Sequence, residues 1–359
     1  MGKKVVHVVG TGTIGEPLIG LLCDFREPLG IDEVTFHKRT PLTTDRSKVH
    51  ALVKRGAGFV ADADTFDGFH QLGLEPQLET YEALDNASVV IDCTPSGVGQ
   101  HNKTEYYDRF KHNTLGFLAQ GSETGFGKPY ARGINDASLI PGEDQFIQIV
   151  SCNTHNIAVI CEAVALADGG PDNFVRGQFV CIRRANDISE DTSYVPAPEI
   201  GAHKDARFGT HHGRDAWHLF RTLGYDMDIY SSSMKINTQY MHTLWFAITV
   251  KRKSSVNGVI DRMEVNDRIA LTYKTTANTV FSFGRDHGHY GRILNQGVVP
   301  RTSLAVRRVN GDYEVIGVSF TSQDGNSLLS SIAATCWLLD PETYETRIRC
   351  LRPFFFDEV

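Results

Sequence analysis

The sequence predicts an α/β protein with two domains, a Rossmann-type parallel sheet domain followed by an α+β domain with a mostly antiparallel sheet. The first prediction depends on a β-branched run, a glycine-rich loop and an apolar helical run, which follow one another within residues 3–25. The second depends on the longer strand-like runs of the carboxy-terminal half. We place the boundary near residue 150. Residues 1–150, completed by a helix near residues 325–340, form the first domain, and residues 151–324 form the second.

The glycine-rich loop is the first element with a chemical signature. A predicted strand over residues 3–9 leads into Gly10-Thr-Gly-Thr-Ile-Gly15, and an apolar helical pattern follows over residues 17–25. Gly10 permits the tight turn, Gly12 lets the backbone approach a pyrophosphate, and Gly15 lets the helix pack close to the strand. The loop therefore predicts a dinucleotide site. The alternative is a glycine-rich turn without a ligand.

The end of the second predicted strand bears on the choice of cofactor. Residues 33–36 are strand-like, and His37-Lys38-Arg39-Thr40-Pro41 follows them. Chains selective for NAD usually place an acidic residue in this region to hold the ribose hydroxyls. Lys38 and Arg39 would instead attract a 2′-phosphate, so NADP is favoured over NAD. A solvated basic turn is the alternative interpretation.

Two further strands are predicted over residues 88–93 and 114–119. Each is followed by small polar loop residues, where a cofactor meets the edge of a parallel sheet. The loop residues expected to contact the cofactor are Thr94, Pro95, Gly121 and Ser122.

Cys152 is the candidate nucleophile. It lies between a strand-like run over residues 145–150 and an apolar helical pattern over residues 156–167. Because the free amides at a helix start favour negative charge, we expect the pKa of this thiol to be depressed. The alternative is that Cys152 is one more buried, small apolar side chain.

Composition narrows the class of protein. A formal net charge of -7 gives no general reason to bind nucleic acid or an anionic membrane surface. The seven cysteines include no CxxC pair, and the histidines of residues 285–290 are expected to lie in a polar loop, so we predict neither disulfides nor a metal site. No apolar run reaches the length of a membrane span, and the start of the chain reads as a strand, so we expect a soluble, cytoplasmic protein.

The carboxy-terminal half contributes further candidate site residues. Strands are predicted over residues 175–183, 228–233, 242–251 and 302–318, and a helix over residues 215–222. An arginine pair and a His-His-Gly sequence at a helix start could together hold phosphates, although salt bridges and helix capping would also explain them. The candidates are Arg183, Arg184, His211, His212, His242 and Gln323. His242 could be a general base or a satisfied, half-buried histidine.

These motifs resemble, in order, those of the archaeal-type (class II) glyceraldehyde-3-phosphate dehydrogenases. The loop Gly10–Gly15 is similar to the family's GYGTIG, the segment 92–99 to its DxTPxGxG, and residues 120–123 to its QGGE. Ser151-Cys-Asn-Thr154 is similar to SCNT. Arg183-Arg184, His211-His-Gly213, Met241-His242 and Gln323-Asp324 match the family's RR, HHG, MH and QE.

The resemblance implies a role for each of these residues. Cys152 would be the nucleophile and His242 the general base. Ser151, Asn153 and Thr154 would lie beside the substrate, and Arg183, His211 and His212 would hold phosphate groups. Contacts with NAD or NADP are implied for Thr13, Ile14, Arg184 and Gln323, and a homotetramer is implied for the assembly. The family pattern breaks at His155, Asn156 and Ser122, so we expect His155 and Asn156 to decide which substrate is used.

The predicted reaction oxidises a phosphorylated aldehyde through a Cys152 thioester, which inorganic phosphate then attacks to release an acyl phosphate. Three alternatives remain open at this point. One is another cysteine-dependent semialdehyde dehydrogenase. The second is a dinucleotide-binding redox sensor that uses the thiol. The third is a nucleotide-binding interaction module without a reactive thiol.

Overall fold

A computed structural model describes residues 2–121, 123–187, 195–322 and 324–359. The chain divides into two compact units. The first comprises Met1–Arg132, Leu139–Ile149 and Leu328–Arg352, and the second comprises Gly133–Ser138, Val150–Ser327 and Pro353–Val359. The first unit contains a parallel sheet and the second a mostly antiparallel one, which confirms the predicted fold class.

The first unit is built on an eight-stranded parallel sheet in the order β4-β3-β2-β1-β5-β6-β8-β7. Its strands are β1 Val5–Val9, β2 Glu33–His37, β3 Gly58–Ala61, β4 Leu78–Glu79, β5 Val89–Asp92, β6 Gly116–Gln120, β7 Lys128–Tyr130 and β8 Phe146–Ile149. β1 pairs with β2 on one side and with β5 on the other, so the strand order reverses there. Ligands of open parallel sheets bind at such a switch point, beyond the carboxyl ends of the strands.

Helices connect these parallel strands. They are α1 Gly15–Asp24, α2 Arg26–Leu29, α3 Arg46–Lys54, α4 Phe66–Gln71, α5 Thr80–Asn86 and α6 Val98–Glu105. Helices on a parallel sheet bury its strands, which explains why β3, β5 and β6 are buried along their whole length. Tyr107, Phe117 and Phe126 form part of the core beside β5 and β6.

The second unit is built on a mixed sheet in the order β10-β11-β9-β12-β16-β14-β13, with β15 paired to β16. Its strands are β9 Phe174–Arg183, β10 Glu199–Ile200, β11 Ile229–Lys235, β12 His242–Val250, β13 Ile269–Thr272, β14 Gly297–Pro300, β15 Ala305–Val309 and β16 Asp312–Thr321. The pairs β9/β11 and β13/β14 are parallel, and the other described pairs are antiparallel. The helices of this unit are α7 Cys152–Val164, α8 His211–Arg221, α9 Val256–Glu264 and α10 Ala277–His287.

Two helices follow near the carboxyl end, α11 Gly325–Leu339 and α12 Tyr344–Ile348. From Leu328 onward they belong to the first unit, where Gln120 Nε2 donates to Ser331 Oγ over 2.8 Å. None of the helices in the described ranges is long and apolar enough to cross a membrane.

Two local predictions were wrong. The strand expected over residues 302–318 is a hairpin, in which β15 and β16 are joined by Asn310 and Gly311 at φ angles of 52° and 96°. Positive φ at both residues is typical of the tight turn that an Asn-Gly pair favours. The polar loop expected over residues 285–290 is helical through His287, because α10 continues to that residue.

The last residues of the chain, Pro353–Val359, are part of the second unit. The backbone amide of Leu294 donates to the Phe354 carbonyl over 2.9 Å, and that of Leu271 donates to the Asp357 carbonyl over 3.0 Å. Val359 is buried in the core that contains Phe320 of β16.

Candidate active site

The glycine-rich loop has the backbone geometry that a pyrophosphate site needs. Gly10 adopts a φ of 95°, which is unfavourable for residues with a side chain. A Cβ atom at Gly15 would collide with the Gly10 carbonyl oxygen, whereas one at Gly12 would meet nothing within 4 Å. The loop is thus closely packed at Gly15, where α1 starts, and open at Gly12, and these residues fit a dinucleotide. Thr13 and Ile14 are half-buried beside them.

The loop after β5 is organised by one carboxylate. Asp92 Oδ1 accepts hydrogen bonds from the Thr94 amide over 2.9 Å and from the Thr94 hydroxyl, while Oδ2 accepts from Asn102 Nδ2 over 2.8 Å and from the Tyr107 hydroxyl over 2.6 Å. Thr94 is held in place by these bonds, and Pro95 next to it is exposed.

The loop after β6 supplies a helix cap. Gly121 adopts a φ of 71°, and its amide donates to the Ile149 carbonyl over 2.8 Å. The buried carboxylate of Glu123 accepts from the amide of Gly97 and, over 3.0 Å, from that of Gln100. Glu123 thereby satisfies amides at the start of α6. Ser122, predicted to contact the cofactor, lies outside the described residues.

The basic turn after β2 includes an ion-pair cluster that the sequence analysis did not identify. Lys38 Nζ lies 2.7 Å from Asp45 Oδ2, and Lys48 Nζ lies 3.2 Å from Asp45 Oδ1. Burial acts to raise the pKa of Asp45, but hydrogen bonds and charge from Lys38 and Lys48 outweigh it and lower that pKa. Arg39 is exposed next to Lys38.

Cys152 is the first residue of α7, as its place in the sequence predicted. Ser151 is the N-cap residue, and its Oγ accepts from the Thr154 amide over 3.3 Å. The Ser151 and Thr154 hydroxyls also pair with each other over 2.9 Å. Asn326 Nδ2 donates to the Cys152 carbonyl over 3.0 Å. The backbone around the thiol is therefore fixed by its own cap and by α11.

The expected depression of the Cys152 pKa was wrong. Burial of the thiol, followed by the negative charge of Asp324, raises the pKa of Cys152 from 9.0 to about 12, although Arg184 and Arg183 act in the opposite direction. A helix start stabilises an anion by ~0.3–1 kcal/mol, which is less than the ~1.4 kcal/mol of one pKa unit. The helix start is thus too weak to offset burial and the Asp324 carboxylate.

Arg184 is the centre of a second ion-pair cluster. Its Nη2 lies 2.7 Å from Asp187 Oδ1 and 3.5 Å from Asp324 Oδ1. The two carboxylates keep the Arg184 side chain charged even though it is only 3% exposed. Asp324 is buried with a φ of 55°, a strained conformation for a residue with a side chain, and burial raises the pKa of its carboxyl. The neighbouring Gln323, predicted to contact the dinucleotide, lies outside the described residues.

His242 begins β12 and is held by the backbone of β9. The Arg184 amide donates to His242 Nδ1 over 3.0 Å. Because an amide only donates, Nδ1 must be the acceptor, so a neutral His242 carries its proton on Nε2. Burial, then the charges of Arg184 and Arg183, lower the pKa of His242 well below its usual value. In this geometry the ring can donate a hydrogen bond from Nε2 but has no free nitrogen with which to act as the predicted base.

Arg183, His211 and His212 are brought close together. The rings of His211 and His212 lie 3.9 Å apart, and His212 is 3% exposed. Burial, followed by His211, Arg183 and His242, lowers the pKa of His212 well below its usual value. Both ring nitrogens of His212, and Nε of Arg183, are buried without a hydrogen-bond partner among the described residues. Because an unpartnered buried donor is costly, these atoms suit a ligand that carries acceptors, such as a phosphate.

His155 and Asn156, two of the three residues at which the family pattern breaks, are both fully buried. His155 Nδ1 donates to the Ser151 carbonyl over 3.0 Å, within the first turn of α7. Asn156 Nδ2 donates to Thr321 Oγ1 over 2.9 Å, and its Oδ1 accepts from Ser319 Oγ over 2.8 Å. Asn156 therefore ties α7 to β16. The expectation that it selects the substrate has no support in these contacts, because both ends of its amide are used internally.

Asn153, predicted to lie beside the substrate, is 3% exposed, and its Oδ1 accepts from Thr321 Oγ1 over 3.3 Å. Four residues that shape the candidate site were not predicted from the sequence: Asp45, Lys48, Asp324 and Asn326. Asp45 and Lys48 could have been found from their i, i+3 spacing at a helix start. In the sequence, Asp324 was noted only as the second residue of the Gln323-Asp324 motif.

No protein-family model matches the chain. It is similar to curated proteins named glyceraldehyde-3-phosphate dehydrogenase. That of Pyrobaculum islandicum is 24% identical over 84% of this chain and 83% of its own length. That of Sulfolobus acidocaldarius is 26% identical over 85% and 84%, and the protein numbered 2 of Methanosarcina barkeri is 27% identical over 80% of each chain. Similarity at this level, sustained over most of both chains, supports a relationship to the glyceraldehyde-3-phosphate dehydrogenases.

Proposed function

We propose that the chain is a phosphorylating glyceraldehyde-3-phosphate dehydrogenase of the class II type, which uses NADP in preference to NAD. The observation that carries the proposal is the arrangement around His212, where buried nitrogens of His212 and Arg183 have no partner among the described residues. The same unit provides a cysteine at a helix start and an Nε2 donor on His242. A thiol, a donor and an anion site are the parts that this chemistry needs.

The first bond forms between Cys152 Sγ and the aldehyde carbon, and the thiol proton leaves to solvent. The oxygen of the aldehyde becomes an anion in this step. His242 stabilises that oxygen through Nε2–H, a donor that the Arg184 amide fixes in the required tautomer. A bound nicotinamide would accept the hydride that leaves the carbon, and a Cys152 thioester remains.

Inorganic phosphate completes the reaction. A phosphate oxygen attacks the thioester carbon, the carbon–sulfur bond breaks, and the Cys152 thiolate takes up a proton from solvent. Arg183, His211 and His212 would orient the phosphate groups, because Nε of Arg183 and both ring nitrogens of His212 are buried without a hydrogen-bond partner among the described residues. The products are an acyl phosphate and the free enzyme.

Reduction of NADP by glyceraldehyde 3-phosphate, with and without inorganic phosphate, tests the proposal. We expect turnover to depend on phosphate and to vanish in Cys152→Ser, while binding of the dinucleotide is retained. Turnover without phosphate, or near-normal turnover in Cys152→Ser, would contradict it. A panel of semialdehydes bearing carboxylate or amino acid tails distinguishes the related semialdehyde dehydrogenases, which would prefer those substrates. The homotetramer that we also propose is measurable by light scattering.

The redox-sensor alternative is tested by the same assays, because a sensor would bind the dinucleotide but turn over no aldehyde. The raised pKa of Cys152 does not separate the two functions, since it lowers the thiolate fraction for attack on an aldehyde and for reaction with peroxide alike.

A further inference from the structure

Three segments of the first unit meet at the Asp45 carboxylate. Lys38 follows β2, Asp45 precedes α3, and Lys48 lies in the first turn of α3. The carboxylate binds both ammonium groups, at 2.7 Å for Lys38 and 3.2 Å for Lys48. The Lys48 ammonium also donates to the carbonyl of Thr11 over 3.2 Å. One lysine of α3 therefore contacts the glycine-rich loop itself.

This cluster occupies the position that an adenosine ribose takes in Rossmann-type sheets, between the glycine loop and the end of the second strand. The Gly10 amide donates to the His37 carbonyl over 3.3 Å, which brings the end of β2 to the loop. The side chains of Lys38 and Lys48 are 15% and 25% exposed, so neither lysine is fully buried.

The charges at this place do not cancel. Asp45 contributes one negative charge against the two positive charges of Lys38 and Lys48, whereas the charge of exposed Arg39, next to Lys38, is offset by the carboxylate of Asp62 with which it interacts. A site with excess positive charge suits a phosphate rather than a ribose hydroxyl. The carboxylate between the lysines limits the freedom of both ammonium groups before any ligand binds, and this reduces the entropy lost on binding.

We propose that Lys48 is a ligand of the 2′-phosphate of NADP, together with Lys38, and that Asp45 is the positioning residue that gathers the two lysines. The inference rests on the proposed dinucleotide-dependent function and adds to it a residue from α3 that determines cofactor preference. It requires no contact with the second unit.

Binding of two adenosine fragments, measured by calorimetry, tests the inference without catalysis. The probes are 2′,5′-ADP, which carries the 2′-phosphate, and 5′-AMP, which lacks it. We expect Lys48→Met to weaken 2′,5′-ADP about tenfold, the size of one charge-assisted hydrogen bond, and to leave 5′-AMP unchanged. Lys54→Met, at the exposed end of α3, is the matched control and should change neither affinity.

Each of the other possible results of this binding experiment contradicts a defined part of the proposal. An equal loss for both fragments would mean that Lys48 acts only through the glycine loop, by its contact with Thr11. Unchanged affinities, or a wild-type protein that binds 5′-AMP as tightly as 2′,5′-ADP, would remove Lys48 and Asp45 from cofactor selection while leaving an NAD-dependent enzyme. If neither fragment nor intact NADP and NAD binds the wild-type protein, the proposed function itself fails.

Discussion

The amide of Arg184 and Nδ1 of His242 form a buried hydrogen bond of 3.0 Å, and this bond determines what the histidine can do. The amide cannot accept, so the imidazole must present a bare Nδ1 to it and a proton on Nε2. Protonating Nδ1 would break the bond and place two donors face to face. A backbone contact thus sets the chemistry of a side chain that the sequence alone left between a base and a core residue.

Replacing His242 tests whether a hydrogen-bond donor at this position is sufficient for catalysis. His242→Ala should lower kcat by about 10²–10³, the usual loss when one oxyanion donor is removed. The amide nitrogen of a glutamine can occupy a position close to Nε2, so His242→Gln should recover about tenfold over His242→Ala. The measurement is the single-turnover rate of each variant. Equal rates for the two variants would argue that the histidine serves as a base and not as a donor.

The pH profile of the same step gives an independent test. Burial and the charges of Arg184 and Arg183 hold the pKa of His242 well below its usual value, so the ring stays neutral as the pH falls through the ordinary histidine range. We therefore expect no loss of the single-turnover rate attributable to His242 near about pH 6.5. A fall centred there in the wild type, and its absence in His242→Gln, would show that the ring titrates normally.

The rate at which Cys152 is alkylated should show how neighbouring charges change the pKa of its thiol. With a pKa raised to about 12, the thiolate fraction should grow about tenfold per pH unit, without a plateau, between about pH 6 and pH 10. Asp324→Asn removes the largest charge that raises this pKa and should accelerate alkylation at fixed pH by about five- to tenfold. Asp187→Asn should have a smaller effect of the same sign, because its charge contributes less. Mass spectrometry of the Cys152 peptide measures the rate, and a plateau near neutral pH would contradict the raised pKa.

Binding of inorganic phosphate at Arg183 should be separable, by mutation, from the reaction of the Cys152 thiol. Arg183→Met should raise the KM for inorganic phosphate about tenfold or more, since a charged donor to phosphate is lost from a partly buried site. Arg221→Met, on an exposed position at the end of α8, is the control and should leave that KM unchanged. An Arg183 variant with normal phosphate KM and low kcat would instead place Arg183 at the reacting carbon.

Binding of sulfate shows how the anion affinity of the site at Arg183, His211 and His212 depends on pH, because the ligand itself does not titrate. Burial, followed by Arg183, lowers the pKa of His211, and burial, followed by His211 and Arg183, lowers that of His212. A bound dianion favours the protonated rings and raises both pKa values, so affinity for sulfate should increase as the pH falls. Calorimetry across about pH 5.5 to 8 measures the slope. A pH-independent affinity would show that neither histidine takes part.

Asn156 should matter for stability and not for substrate choice. Asn156→Ala leaves the Ser319 hydroxyl without its buried partner and removes one of the two partners of the Thr321 hydroxyl, so it should lower the free energy of unfolding by about 1–3 kcal/mol. Asn113→Ala removes a hydrogen bond to Asp85 at the exposed surface and should cost about 0.5 kcal/mol or less. Urea unfolding gives both values. A changed ranking of aldehydes in a folded Asn156→Ala protein would restore its predicted role in specificity.

The elements around the glycine loop and around Cys152 were predictable because their signals are local, whereas strands β3, β4 and β7 and helices α2 to α6 were not predicted. The strand β1 before the glycine loop is a short β-branched run, and Cys152 lies between a strand pattern and a helical pattern. The hairpin at Asn310 and Gly311 was missed although its turn signal is also local, because the apolar runs on either side were taken as one strand.

The electrostatic behaviour of the site could not be predicted in the same way. The pKa of Cys152 is set mainly by burial and by Asp324, which is far from it in the sequence, and these outweigh the helix start that the sequence did reveal. The tautomer of His242 depends on strand register, because β12 must pair with β9 for the Arg184 amide to reach the ring. Both depend on side chains and strands that only the folded chain brings together.

The carboxylate of Glu123 affects which helix start of the parallel sheet a dinucleotide would bind. A parallel sheet of this kind offers more than one helix start at its carboxyl edge, and each attracts an anion. At α6 the chain supplies that anion from its own loop, through the amides of Gly97 and Gln100. At α1 the N-cap Ile14 makes no side-chain cap hydrogen bond, and the loop is open at Gly12. Glu123 therefore competes with a pyrophosphate for the start of α6, whereas the start of α1 is left for the pyrophosphate to bind.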